Sequence, residues 1–198
     1  MWVFPAYPAP VTRCPYCQTP LRPNAAECPA CMLTFPRTTA LVGVLPRLNP
    51  IVADTVGCLK SADSVKLNRR IQQLQRRFPQ LTVQVVMHRF PAQHPFTMHA
   101  FWLFNAGALA GEFRRGKDNR ALLILVDPFR QESAIVPGYA LEPLLKQEAL
   151  DHLLEMSGPA FGDGKWLIGF EVLLDGLELL LETVSSEGET HSYGEGDF

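Results

Sequence analysis

From Ser61 onward the apolar positions Leu67, Ile71, Leu74 and Phe78 recur at intervals of four, three and four, the spacing that lines one face of an α-helix. Arg69, Arg70, Arg76 and Arg77 fall largely off that stripe, and Pro79 ends it, because proline cannot supply a helical N–H. Leu81 to His88 alternates around Val83, Val85 and Val86 and reads as a strand. Met98 to Phe113 reads as an aromatic-rich helix, and Ala121 to Val126 is an unbroken apolar run, as expected of a central strand buried on both faces. After a turn at Asp127-Pro128-Phe129-Arg130, Ser133 to Val136 is expected to pair back as a hairpin strand. Two further helices are expected over about Leu141 to Met156 and Lys165 to Val184. Helix, strand, helix, strand, strand, helix, helix predicts the α/β class, a sheet covered by helices on both faces.

The flanks follow a different pattern. Residues 1–12 are proline-rich and read as extended, and residues 37–50 read as a linker carrying a short apolar strand, Leu41 to Leu45. The main domain spans 51–184, and the glycine- and glutamate-rich stretch 185–198 reads as a disordered acidic tail. Between the first two segments, residues 13–36 contain Cys14-Pro15-Tyr16-Cys17 and Cys28-Pro29-Ala30-Cys31. Two CxxC turns separated by a hairpin's length bring four thiolates around one tetrahedral Zn²⁺, the pattern of a small zinc ribbon. Two disulfides or a redox pair are the competing readings. No secretory signal is recognised, however, and a redox CxxC normally comes singly at a helix start. The closed four-sulfur set leaves no coordination position for chemistry, so its role is structural. The domain from about residue 50 is expected to fold without the ribbon and to share no core with it.

Charge narrows the function classes. With 18 basic against 20 acidic residues and a net charge of −2, there is no global field that favours nucleic acid. Contact through Arg13, Arg22 and Arg37 of the ribbon is therefore the weakest reading. The apolar run Trp166 to Leu181 is interrupted by Glu171, Asp175 and Glu178, which a bilayer core would reject, so no membrane role is expected. A reducing, cytoplasmic setting is the expectation that suits paired cysteines held for metal. Cys58, without a partner in sequence, reads as a small buried hydrophobe.

The residues Gly116-Lys117-Asp118-Asn119 before the buried strand, with Gly138-Tyr139-Ala140-Leu141-Glu142 after the hairpin, resemble the TPM domain, a family also called TPM phosphatase. Asp54, Gly57 and Leu59 are similar to the family's opening D-x-x-G-x-L segment, and Leu103-Phe104-Asn105 to its helix before the Asp-Asn motif. Pro159, Phe161, Gly164, Gly169, Glu171 and Asp175 follow in the family's order. The resemblance implies an α/β/α sandwich, here preceded by a small zinc ribbon, and with it a phosphatase-like activity and divalent-cation binding. This chain departs from the family where a carboxylate becomes Val136, and where two arginines become Ala160 and Gly162. Phosphoryl transfer depends on cations that stabilise the equatorial oxygens, so these losses predict reduced or lost activity.

Under the hydrolase reading, Asp118 with Asp54 and Glu142 holds magnesium or calcium, which polarises a phosphomonoester and activates water. Each carboxylate also has a structural reading, Asp118-Asn119 as a turn and Glu142 as a charge at a helix N-terminus. Glu171, Asp175 and Glu178 share a helix face that reads as solvated, as do the arginines of the first helix. Tyr139 reads as a core lid or a ligand contact. His88, His94 and His99 lack the spacing of a helical metal pair and are not counted as ligands. The alternative function is a non-catalytic module that binds a protein partner, with the ribbon as scaffold.

Overall fold

The computed structural model describes residues 13–22, 25–43, 51–106 and 119–192, with side chains to residue 186. Four strands, β1 (Val52–Asp54), β2 (Thr82–Met87), β3 (Ala121–Asp127) and β4 (Glu132–Pro137), form one sheet in the order β1-β2-β3-β4. The pairs β1·β2 and β2·β3 are parallel, and β4 returns antiparallel beside β3. The helices are α1 (Phe35–Val42), α2 (Ser61–Arg77), α3 (Phe96–Ala106), α4 (Gln147–Gly162) and α5 (Trp166–Ser192). Helices cover both faces, as the element order predicts.

Every residue of β3 is buried, so its alternate side chains feed two cores. Leu122, Ile124 and Val126 join Val83, Val85 and Met87 beneath α2, α4 and α5, where Leu67, Ile71, Leu74, Leu150, Phe170, Leu173 and Leu177 pack. Leu123 and Leu125 join Val86 on the opposite face, beneath Phe96, Ala100, Trp102 and Leu103 of α3. Two glycines let the first layer close. A Cβ on Gly176 would sit 2.4 Å from Leu153 Cδ2, and one on Gly169 would sit 2.4 Å from the Phe161 ring. Each therefore lets α5 approach α4 at a distance no larger residue permits.

Several expectations change. The segment at Val52–Asp54 is a strand that the sequence pattern does not announce, since its three residues are too few to show a period. The stretch read as a linker with a strand begins instead as α1, which ends at Val42. Thr34 caps it by accepting from Arg37 N at 3.3 Å, with proline at its first turn, a helix start that the apolar run obscured. Residues 44–50 lie outside the described residues, as do 1–12 and 193–198. Helix α4 starts at Gln147 rather than near Leu141, because residues 141–145 turn first; α5 continues through Ser192, beyond the expected limit at Val184. Of the helix expected over Met98 to Phe113, α3 accounts for residues to Ala106, and 107–118 lie outside the described residues. Cys58 is half-buried, packed against the larger core.

The charged faces of α2 and α5 do not simply face water. Arg70 binds Asp175 at 2.7 Å and Glu178 at 2.5 Å, while Arg77 binds Glu178 at 2.9 Å and also Glu182. The two helices are thus joined by a ladder of ion pairs above their apolar contact. Arg77, then Arg70, hold the Glu178 carboxyl below its ordinary value. Because the folded value is depressed, the stabilisation is present above the ordinary carboxylate range and lost as pH falls through the folded value. Glu178→Gln should lower the melting temperature at pH 7 and flatten the acid limb of a stability profile; an unchanged acid limb would show that the ladder contributes nothing.

Candidate functional site

The four cysteines form the one potential metal cluster among the described residues, with all four Sγ atoms within 4.8 Å of one another. Cys14 and Cys31 lie 3.6 Å apart, as do Cys17 and Cys28. A tetrahedral zinc with bonds of about 2.3 Å separates its sulfurs by about 3.8 Å, so the set fits. Each CxxC closes the same way. Cys14 O accepts from Gln18 N at 3.0 Å, and Cys28 O accepts from Met32 N at 2.9 Å. Gln18 (φ 60) and Met32 (φ 55) are both left-handed, which turns the chain back so that the two sulfurs of a knuckle point the same way. Arg37 Nη1 donates to the carbonyls of Cys31 and Met32, each at 3.3 Å, and Arg13 Nη1 to Gln18 O at 3.2 Å. Two of the arginines considered for nucleic acid therefore brace the knuckles. Thr19 holds the Cys17 thiol down at about 6, whereas desolvation pushes Cys31 up to about 12. A bound metal must displace those protons, so acid opposes loading.

This ribbon is not a detached bead. Met98 of α3, fully buried, packs against Cys14, Cys28 and Leu33. Thr97 Oγ1 donates to Pro15 O at 2.6 Å and accepts from Gln18 Nε2 at 3.3 Å. The Phe35 ring meets Phe101 edge-on at 6.3 Å, and Tyr16 lies 6.3 Å from His94. The expectation that ribbon and domain share no core is corrected: α3 presents one face to the sheet and another to the cysteines.

Two of the predicted carboxylates, Asp54 and Glu142, stand at opposite ends of the sheet. Asp54 stands at the C-terminal end of β1, where Oδ1 accepts from Val56 N at 3.1 Å and Gly57 N at 2.8 Å, and Oδ2 accepts from Leu59 N at 2.7 Å. Gly57 has φ 72, a left-handed turn that glycine adopts freely. The D-x-x-G-x-L pattern is thereby a self-bonded loop. Asp54 pairs in register with Met87, which pairs with Val126 near the far end of β3. Glu142 lies at the other end. Its amide donates to Gly138 O at 3.2 Å, and Gly138 N donates to Ala121 O at 2.8 Å, at the start of β3. Five strand residues at about 3.3 Å each separate these ends by about 17 Å, too far for one cation to join Asp54 and Glu142. Partial desolvation raises the Glu142 carboxyl, although the residue as a whole is exposed. Gly116, Lys117 and Asp118 lie outside the described residues.

Asn119 has a defined task. Its Oδ1 accepts from Ala121 N at 2.9 Å and its carbonyl from Ala140 N at 3.1 Å. A Cβ on Gly138 would fall 2.4 Å from Asn119 O, a backbone atom that cannot yield. The two motifs thus make one contact, between the entry to β3 and the exit from β4. Tyr139 is 61% exposed, not a core lid.

Residues that sequence reasoning passed over gather at the opposite end of β3. Asp127, fully buried, accepts from Phe90 N at 2.7 Å, Phe129 N at 2.9 Å and Arg130 N at 3.1 Å. The three histidines surround that end. His88 Nδ1 lies 2.6 Å from Thr55 Oγ1, and the buried His99 ring lies 4.9 Å from Phe90 and 6.2 Å from His94. Burial lowers both His88 and His99, so each is a neutral ring. Beside this cluster, a pocket of about 340 Å³ opens between Asp127, the β3–β4 turn and the corner joining α4 to α5, where Gly158, Phe161, Gly162 and Trp166 line it. The signal for it was the glycine-rich Gly158-Pro159-Ala160-Phe161-Gly162 corner. A shallower hollow of about 330 Å³ lies over Asp54.

A four-stranded mixed sheet with helices on both faces, beside a four-cysteine cluster able to hold a metal, describes the class of protein. The TPM domain family model matches residues 52–179, and the chain belongs to that family. It is similar in structure to the N-terminal domain of a protein from P. gingivalis, solved by NMR, with TM-score 0.55 at 19% identity, covering 67% of this chain and 82% of that one. A second likeness is to the N-terminal domain of a Corynebacterium glutamicum protein, with TM-score 0.49 at 18% identity, covering 69% and 83%. No curated protein matches. No helix among the described residues is long and apolar enough to cross a membrane.

Two measurements check the site. Elemental analysis should find about one equivalent of zinc in the purified protein, lost with Cys14→Ser; four alkylatable cysteines and no metal would remove the ribbon. Asp54→Ala should destabilise the fold by about 1–3 kcal/mol in chemical denaturation, because three amides lose a charged acceptor. A neutral outcome would return Asp54 to the list of ligand carboxylates.

Proposed function

We propose that this protein is a binding module built on the TPM fold, in which phosphatase-type catalysis is reduced or lost and the zinc ribbon scaffolds one side of the domain. The observation that carries this reading is the Asp54 carboxylate, which spends both oxygens on Val56, Gly57 and Leu59 at the end of the sheet opposite Glu142. A cation held by both is excluded by distance. The losses at Val136, Ala160 and Gly162 support the same conclusion, since a phosphoryl group needs positive charge around it. Arg130, next in sequence to the lining of the larger pocket, is engaged with Glu132 at 2.6 Å and with two carbonyls. The ribbon adds no catalytic group, because four thiolates complete the coordination of zinc. Four cysteines poised for metal also suit a reducing, cytoplasmic setting, with a protein as partner.

The hydrolase reading, with magnesium or calcium acting on a phosphomonoester, then depends on Asp118 with either Asp54 or Glu142, not both. An aryl phosphate assayed with each cation and with chelator separates the two. Turnover should lie at or near the uncatalysed background, and any residue of it should need the cation and fall with Asp118→Asn. Robust cation-dependent turnover that Asp118→Asn abolishes would overturn the binding-module reading in favour of the enzyme.

A further inference from the structure

The pocket at the α4–α5 corner has no place in the carboxylate chemistry above, and its composition differs from that of a phosphate site. We propose that it is a binding site for a planar organic cation of the amidine or guanidine type.

Size is the first requirement. At about 340 Å³ it falls in the range that accepts a small ring or a single long side chain. One wall is aromatic: Phe161 and Trp166 lie 5.9 Å apart with their planes only 27° from parallel. Aromatic rings attract a flat cation through their π systems. Another part is bare backbone. Gly158 and Gly162 stand four apart on α4, so they share one helix face, and a Cβ at either would meet nothing within 4 Å. Neither has left-handed φ, and neither permits a close contact. Glycine in a helix interior costs up to about 1 kcal/mol relative to alanine, and at Gly158 packing gives no structural return for it. Open space in the pocket is what these glycines provide.

Charge then selects the ligand. No lysine or arginine lines the pocket, whereas Glu132, Gln131 and Ser133 do. The cations nearby are already paired, Arg130 Nε with Glu132 Oε2 at 2.6 Å and Lys165 with Asp163 at 2.9 Å. Asp127 lies at the same end with its carboxylate already bonded to three amides, which leaves Glu132 as the open acid of the lining. Glu132 Oε1 carries no hydrogen bond among the described residues, so one edge of that carboxylate is open to a charge-assisted N–H donor. An anion of equal size would meet the Glu132 carboxylate and no lysine or arginine of the lining. Binding here uses neither Asp54 nor Asp118, so the hydrolase experiment can fail or succeed without deciding it.

The test is a titration of the full-length, zinc-loaded protein with benzamidine, and separately with phenyl phosphate, followed through the amide resonances of Gly158, Gly162 and Gly164. Benzamidine should give saturable shifts at these glycines with a dissociation constant in the range of about 0.1–5 mM. Glu132→Gln should weaken binding about tenfold. Gly162→Leu fills the space, and at an exposed site with nothing near its Cβ it should leave thermal stability unchanged while abolishing the shifts. Phenyl phosphate binding as well as benzamidine overturns the proposal. So do the absence of saturable shifts up to about 10 mM, and benzamidine shifts that survive Gly162→Leu in a variant that retains wild-type stability.

Discussion

Burial of β3 on both faces is the constraint on which the other elements depend. Its seven residues leave no side solvated, so both flanking layers must be apolar helices, and the backbone must find its partners within the sheet. Parallel β2 and antiparallel β4 supply those partners along the full length. The polar residues that remain sit at its two ends. Asn119 closes the entry and Asp127 the exit, each by accepting amides that would otherwise be buried without partners.

Seen from those ends, the residues shared with the TPM family are largely architectural in this chain. Asp54 and Gly57 shape a loop, Asn119 and Gly138 touch where no side chain would fit, Gly169 admits Phe161, and Asp175 anchors Arg70. A carboxylate that accepts three amides already has its charge satisfied. Membership of a family therefore fixes the frame without fixing the chemistry, which depends on what stands between these positions. Here the α4–α5 corner carries glycine and aromatic residues, and its nearby cations are spent on carboxylates.

The ribbon extends the frame rather than hanging from it. Packing of Met98 against Cys14 and Cys28 gives α3 a second buried face. That placement also explains why so aromatic and apolar a helix is tolerated: one side rests on Leu123 and Leu125, and another rests on the cysteine knuckles. The knuckles are thus tied to a helix of the main domain, through contacts as short as the 2.6 Å bond from Thr97 to Pro15.

The sequence alone determined the elements with strong periodicity: the α2 stripe, the β3 run, the hairpin that follows it, and the cysteine spacing. Each rests on local geometry, a helical or strand repeat or a ligand reach, which neighbouring residues encode by themselves. It could not determine β1, whose three residues carry no period, nor the true start of α4. The arginine and acidic faces of α2 and α5 each look solvated in isolation, and only their meeting made them a ladder. Likewise, spacing along the chain gave no measure of the distance between Asp54 and Glu142. Parallel pairing in register sends the end of β1 and the start of β3 to opposite ends of the sheet, so the tertiary structure, not the motif, decided that Asp54 and Glu142 stand apart.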